Sequence, residues 1–106
     1  MRVDRDLLLE KVKSALSGLN RIDSGIADET LSRFMPRRGA KQLITQMVVI
    51  KNELERGSKG CFEGMSAGIG RTIIENANDI AHPLASLCME IQTDRNQLAE
   101  EVARTC

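Results

Sequence analysis

Glu75, Asp79 and His82 stand at i, i+4 and i+7, the spacing that brings side chains to one face of a helix. Two carboxylates and an imidazole in such a row form a ligand set for a divalent metal ion. The set is thin. His82 is the single histidine of the chain, no close cysteine pair accompanies it, and it precedes Pro83, where helical backbone is disfavoured. The plainer reading is polar surface beside a helix kink, and no metal is assigned. Nucleophilic catalysis finds less support still, because His82 has no serine or cysteine partner identifiable by spacing. The cysteines Cys61, Cys88 and Cys106 are odd in number and unpaired in spacing, which reads as reduced thiols. Cys88 falls on an apolar stripe and is expected to be inert core. Cys106 is expected to be an exposed thiol.

Gly64-Met65-Ser66-Ala67-Gly68-Ile69-Gly70 follows a G-x-x-x-G-x-G pattern that resembles the cofactor loop of the short-chain dehydrogenases/reductases. In that family the loop brings backbone close to a pyrophosphate at a helix N-terminus, so the resemblance implies a dinucleotide. It covers this segment alone. Gly60-Cys61-Phe62-Glu63 is a poor strand, no second strand follows, and the family's Tyr-x-x-x-Lys pair is impossible in a chain without tyrosine. As a P-loop the segment lacks its lysine, with Arg71 before Thr72. It is read as a hinge whose small residues allow close packing, and no cofactor is assigned.

Arg33, Arg37, Arg38 and Lys41 form a basic cluster around a turn. Lys plus Arg and Asp plus Glu both total 15, so the net charge is zero, but the distribution is uneven. Residues 30–60 hold seven bases against two acids, a balance of +5, and residues 75–106 hold six acids against two bases, a balance of −4. The cluster is a candidate contact for an anionic partner. The alternative is that the basic middle meets the acidic C-terminal helix, within or between chains. With no Trp, no Tyr and two Phe, the chain has no tyrosine general acid, no aromatic cage and almost no base-stacking platform.

These side chains must be placed by helices. At 106 residues the chain allows one small domain, and no stretch alternates apolar and polar residues long enough to predict a strand. Leu8, Val12, Ala15, Leu16 and Leu19, with Leu9 beside them, give a first helix from about Asp6 to Asn20, ended by Asp23-Ser24-Gly25. Asp28-Glu29 opens a short helix through Phe34, interrupted by Pro36 and Gly39. Leu43, Met47, Ile50 and Leu54 mark a third helix over Ala40–Arg56, capped by Gly57. Ile44, Val48 and Val49 widen its stripe, which predicts burial from two sides. Residues 57–67 read as a glycine-rich connector.

One apolar seam then runs through Ile69, Ile73, Ala77, Ile80, Leu84, Leu87, Ile91, Leu98 and Val102, with Arg95 in its last gap. The phase persists through Pro83, which predicts one long helix over 69–104 kinked near Asn78–Pro83. The alternative is a new helix capped by Asp79, with Pro83 in its first turn. A helix of about 35 residues spans about 50 Å, longer than such a globule, and a second copy of the chain would then cover the seam.

The expectation is a single all-α domain of four to five helices, a bundle completed by dimerisation, divided into helices over 1–56, the connector, and a helical segment over 68–105. Its expected function is non-catalytic protein–protein interaction, as an adaptor, regulator or inhibitor. The oligomer seam comprises Ile73, Ile80, Leu84, Leu87, Ile91, Arg95, Leu98 and Val102. The alternative function is a helix-turn-helix-like DNA-binding regulator, with the basic turn from Arg33 to Lys41 on phosphates and Lys41, Gln42 and Gln46 on base edges. No apolar run approaches the length of a membrane span, and the N-terminal residues do not form a signal peptide. A cytoplasmic location is expected.

Overall fold

Three of the helices begin at a residue whose side chain accepts from the first turn. The computed structural model describes residues 4–26, 28–55 and 68–105, with side chains to residue 101. Among these residues there are five helices and no strand: α1 Arg5–Ser24, α2 Glu29–Phe34, α3 Arg37–Glu55, α4 Ile69–Asn76 and α5 Pro83–Thr105. No helix of the described residues is long and apolar enough to cross a membrane. The connector over 57–67, and with it Cys61 and most of the glycine pattern, lies outside the described residues, as do Cys106 and the Val102 side chain.

The Asp4 carboxylate caps α1, accepting from the Asp6 and Leu7 N–H groups at 2.9 and 3.2 Å. The helix runs one turn beyond the expected end and stops at Gly25, whose φ of 75° is left-handed. The Gly25 and Ile26 N–H groups close back on the Ile22 and Arg21 carbonyls, a Schellman ending that a side chain would strain. Asp28 caps α2 by accepting from the Leu31 N–H at 2.8 Å. Met35 is extended, as a residue before proline should be, and the Pro36 carbonyl receives the first bond of α3, from Ala40.

Gly39 was expected to interrupt the chain before α3. Instead it lies inside the first turn of that helix. A Cβ there would stand 2.6 Å from Cβ of Asn76 and 2.9 Å from Met35, so glycine is what allows α4 to approach. Tertiary proximity outweighs the roughly 1 kcal/mol that glycine costs a helix.

The long helix expected over 69–104 is two helices. The chain leaves α4 at Ala77 and re-enters helix at Pro83. Pro83 is the first residue of α5, where its missing N–H removes no hydrogen bond. His82 precedes it as the cap, with Nδ1 accepting from the Leu84 N–H at 3.0 Å. The shared phase of the two pieces has a common cause, because both face the core built on α1 and α3.

That core explains the seam. Leu8, Val12, Ala15, Leu19 and Ile22 from α1 meet Leu43, Met47, Ile50 and Leu54 from α3 and Leu84, Cys88, Ile91 and Leu98 from α5, all buried. Cross-helix pairs set the directions. Lys11 meets Asp94 and Gly18 faces Leu84, so α5 runs antiparallel to α1. Gln42 meets Asn76 and Gln46 meets Thr72, so α4 runs antiparallel to α3. Val48 and Val49 are exposed, so the buried stripe of α3 is narrower than the sequence suggested, although the helix packs against both α1 and α4.

Arg95, expected to serve an interchain pair or an exposed register point, is 4% exposed inside the chain. Its Nη2 lies 3.1 Å from Oε2 of Glu53, itself half-buried on α3. Such a pair ties the C-terminal end of α3 to the middle of α5, at a desolvation cost that only both partners together offset.

Two outcomes follow. Gly39→Ala should lower stability by about 1–3 kcal/mol despite alanine's helix propensity, read from urea unfolding midpoints; an unchanged or raised midpoint would show that α4 does not approach there. Arg95→Met should cost about 3–5 kcal/mol by stranding Glu53, and adding Glu53→Leu should restore most of it. Equal stability of the two variants would show that the carboxylate is not stranded.

Candidate functional site

The α4–α5 turn is fastened to the end of α2. The Phe34 carbonyl accepts from the Asn78 N–H at 2.8 Å and the Asp79 N–H at 3.4 Å. The Phe34 ring, fully buried, stacks on His82 with centroids 5.1 Å apart and planes 25° from parallel. Asp79 Oδ1 accepts from the Ala81 N–H at 3.1 Å. At the other end of α4, the Gln92 Oε1 on α5 accepts from the Gly70 N–H at 2.8 Å, satisfying an orphan donor of the first turn.

Between the two helices lies a groove of about 540 Å³. Ile73 and Ile74 line it from α4, Ile80 from the turn, and Ala85, Ser86, Met89, Glu90, Thr93 and Asp94 from α5. Ile73 belongs to the core, but Ile74 is 75% exposed, Ile80 69% and Met89 40%. Three exposed apolar side chains therefore converge on one concave surface. Along its α5 edge the groove is acidic. Glu90 is exposed, and Asp94 receives a 2.8 Å ion pair from Lys11 of α1. That hydrogen bond, with the nearby carboxylate charges, holds the Lys11 ammonium above the usual lysine range.

Of the seam residues, Ile73, Leu84, Ile91, Arg95 and Leu98 are buried within the chain, Leu87 is half-buried and Ile80 is exposed. The seam therefore finds its cover inside the chain and does not itself require a second copy. Sequence reasoning missed the groove, because Ile74 and Met89 stand off the stripe that periodicity selects. Their signal was an apolar residue beside each stripe position, Ile74 after Ile73 and Met89 after Cys88.

The basic cluster meets the negative end of α1. Arg37 Nε donates to the Asp23 carbonyl at 2.9 Å, and Lys41 Nζ lies 3.9 Å from the Asp23 carboxylate. Cations at the N-terminus of α3 oppose its own dipole, and the C-terminus of α1 supplies the compensating charge. Arg33 pairs with Glu29 within α2. Arg38 is exposed and makes no ion pair among the described residues. Of the side chains assigned to base edges, Lys41 faces Asp23, while Gln42 and Gln46 are turned to α4: Gln42 accepts from Asn76 Nδ2 at 3.2 Å, and Gln46 Nε2 donates to Thr72 Oγ1 at 3.0 Å.

Glu75, Asp79 and His82 do not share one helix face. Glu75 is on α4, paired with Arg71 at 2.9 Å, and the other two are in the turn. No group of three metal-ligating side chains is assembled among the described residues. Cys88 is fully buried, and burial pushes its thiol up to about 12, because the apolar surroundings disfavour the thiolate.

In a Cys61→Ser, Cys106→Ser variant, Cys88 should react with a thiol reagent at pH 8 about a thousandfold more slowly in the folded than in the urea-unfolded chain. Equal rates would place the thiol on the surface.

Compared with protein-family models, with curated proteins and with solved structures, the chain finds no match in any of the three.

Proposed function

We propose that this chain is a non-catalytic interaction protein that receives a helical segment of a partner protein in the groove between α4 and α5. The observation that carries this reading is the convergence of exposed Ile74, Ile80 and Met89 on one concave apolar surface. A helix laying an apolar face into such a groove is a recurring mode of recognition. The reading is supported by how the reactive side chains are spent: His82 caps α5, Cys88 is buried and Glu75 pairs with Arg71. The scaffold is supported on both sides of the groove, by the turn on Phe34 and by Gln92 on Gly70, so the binding surface is held in shape before a partner arrives.

The test is selection of helical peptides from a displayed library against the whole chain, compared with an Ile74→Gln, Ile80→Gln variant. Both isoleucines are largely exposed, so the variant should keep its helical circular dichroism and its urea midpoint within about 0.5 kcal/mol. Peptides enriched on the native chain should lose binding to the variant. No enrichment, or equal binding to both chains, would overturn the reading.

A further inference from the structure

The edge of the groove carries a sign, and that sign selects the partner. Glu90 and Asp94 stand one helical turn apart on α5, both lining the groove. Lys11 pairs with Asp94 and its charge also meets that of Glu90, so the three groups together leave one net negative charge on this edge. The wider segment over residues 75–106 carries the −4 balance. An apolar floor with a carboxylate edge attracts a helix that is apolar on one face and basic on its flank, and repels an acidic one. It also opposes the simplest homodimer, since two copies seated groove to groove would bring the same carboxylates together from both sides.

We propose that the groove takes a basic amphipathic helix of a partner protein, with apolar residues at i, i+3 or i+4, and i+7 over Ile74, Ile80 and Met89, and Lys or Arg beside Glu90 and Asp94. This rests on the groove being the docking surface, as proposed above, and adds the chemistry of what docks. The groove volume falls within the range of clefts that hold several apolar groups at once. The apolar contacts supply affinity, and the edge charges select and orient the incoming helix.

The probe is a fluorescein-labelled designed helix of roughly 18 residues, leucine on one face and lysine on the other, compared with the same helix carrying glutamate for lysine. Anisotropy titrations use the whole chain. The lysine helix should bind, the glutamate helix should bind at least about tenfold more weakly, and Ile74→Gln with Ile80→Gln should remove binding of the lysine helix. Glu90→Lys should weaken the lysine helix several-fold and strengthen the glutamate helix. Added salt should reduce the difference between the two.

Equal affinity for both helices, lost together in the double isoleucine variant, would overturn the basic partner and leave the groove as a docking surface. Undiminished binding to that variant, or no binding of either helix, would overturn the inference. Peptides from the library that need the groove but carry no basic flank would overturn it too, without touching the broader reading. A native mass of two chains by light scattering, falling to one chain in Ile80→Gln, would make the occupant a second copy and overturn it as well.

Discussion

The carbonyl of Phe34 accepts two backbone N–H groups from the turn between α4 and α5, and its ring lies against His82. This contact converts a continuous apolar phase into two helices that fold against one core. Without it, the residues from Ile69 to Leu98 could be covered only along a single extended line. With it, Ile73, Leu84, Ile91 and Leu98 reach the interior. The cost of breaking the helix is small at this place. Pro83 has no N–H to lose, His82 supplies an acceptor for Leu84, and the orphan N–H groups of Asn78 and Asp79 find the Phe34 carbonyl.

The groove is a by-product of the same arrangement. α4 and α5 meet at the turn and again where Gln92 reaches Gly70, and each helix already spends one face on the core. Ile74 and Met89 are left on the flanks that look across at each other, with Ile80 at the apex. Polar contacts keep the remaining sides closed. Gln42 with Asn76 and Gln46 with Thr72 join α4 to α3, and Glu53 with Arg95 joins α3 to α5. The position of the groove is therefore fixed from behind by hydrogen bonds, while its mouth is apolar.

The helix stripes were legible because burial against one core imposes the 3.6-residue period directly on residue type. Leu8, Val12, Ala15 and Leu19, and likewise Leu43, Met47, Ile50 and Leu54, are expected and found inside. The fate of Pro83 was not legible, since a kinked helix and a new helix starting at proline share the same apolar phase. Gly39 misled for a related reason: local propensity counts it as a breaker, and only the approach of Asn76 explains its place in a helix. The groove was invisible because in an eight-residue helix such as α4 an extra isoleucine reads equally as core or as surface. Arg95 inside the seam was noticed, but its partner lies on a helix far away in sequence and no spacing rule points to it.

The pairing of Lys11 with Asp94 spans 83 positions of chain, which bears on the order in which the molecule can assemble. During synthesis α1 and α3 leave the ribosome well before α5, and their stripes can cover each other on one side only. The surface reserved for Leu84, Cys88 and Ile91 stays wet until α5 arrives, so the early chain carries the exposed apolar area that makes partial folds prone to association. Contacts this distant also slow the final closure relative to bundles of sequential neighbours. The carboxylates of Glu90 and Asp94 arrive on the same helix that covers the core, so the acidic edge appears only as the apolar interior is sealed.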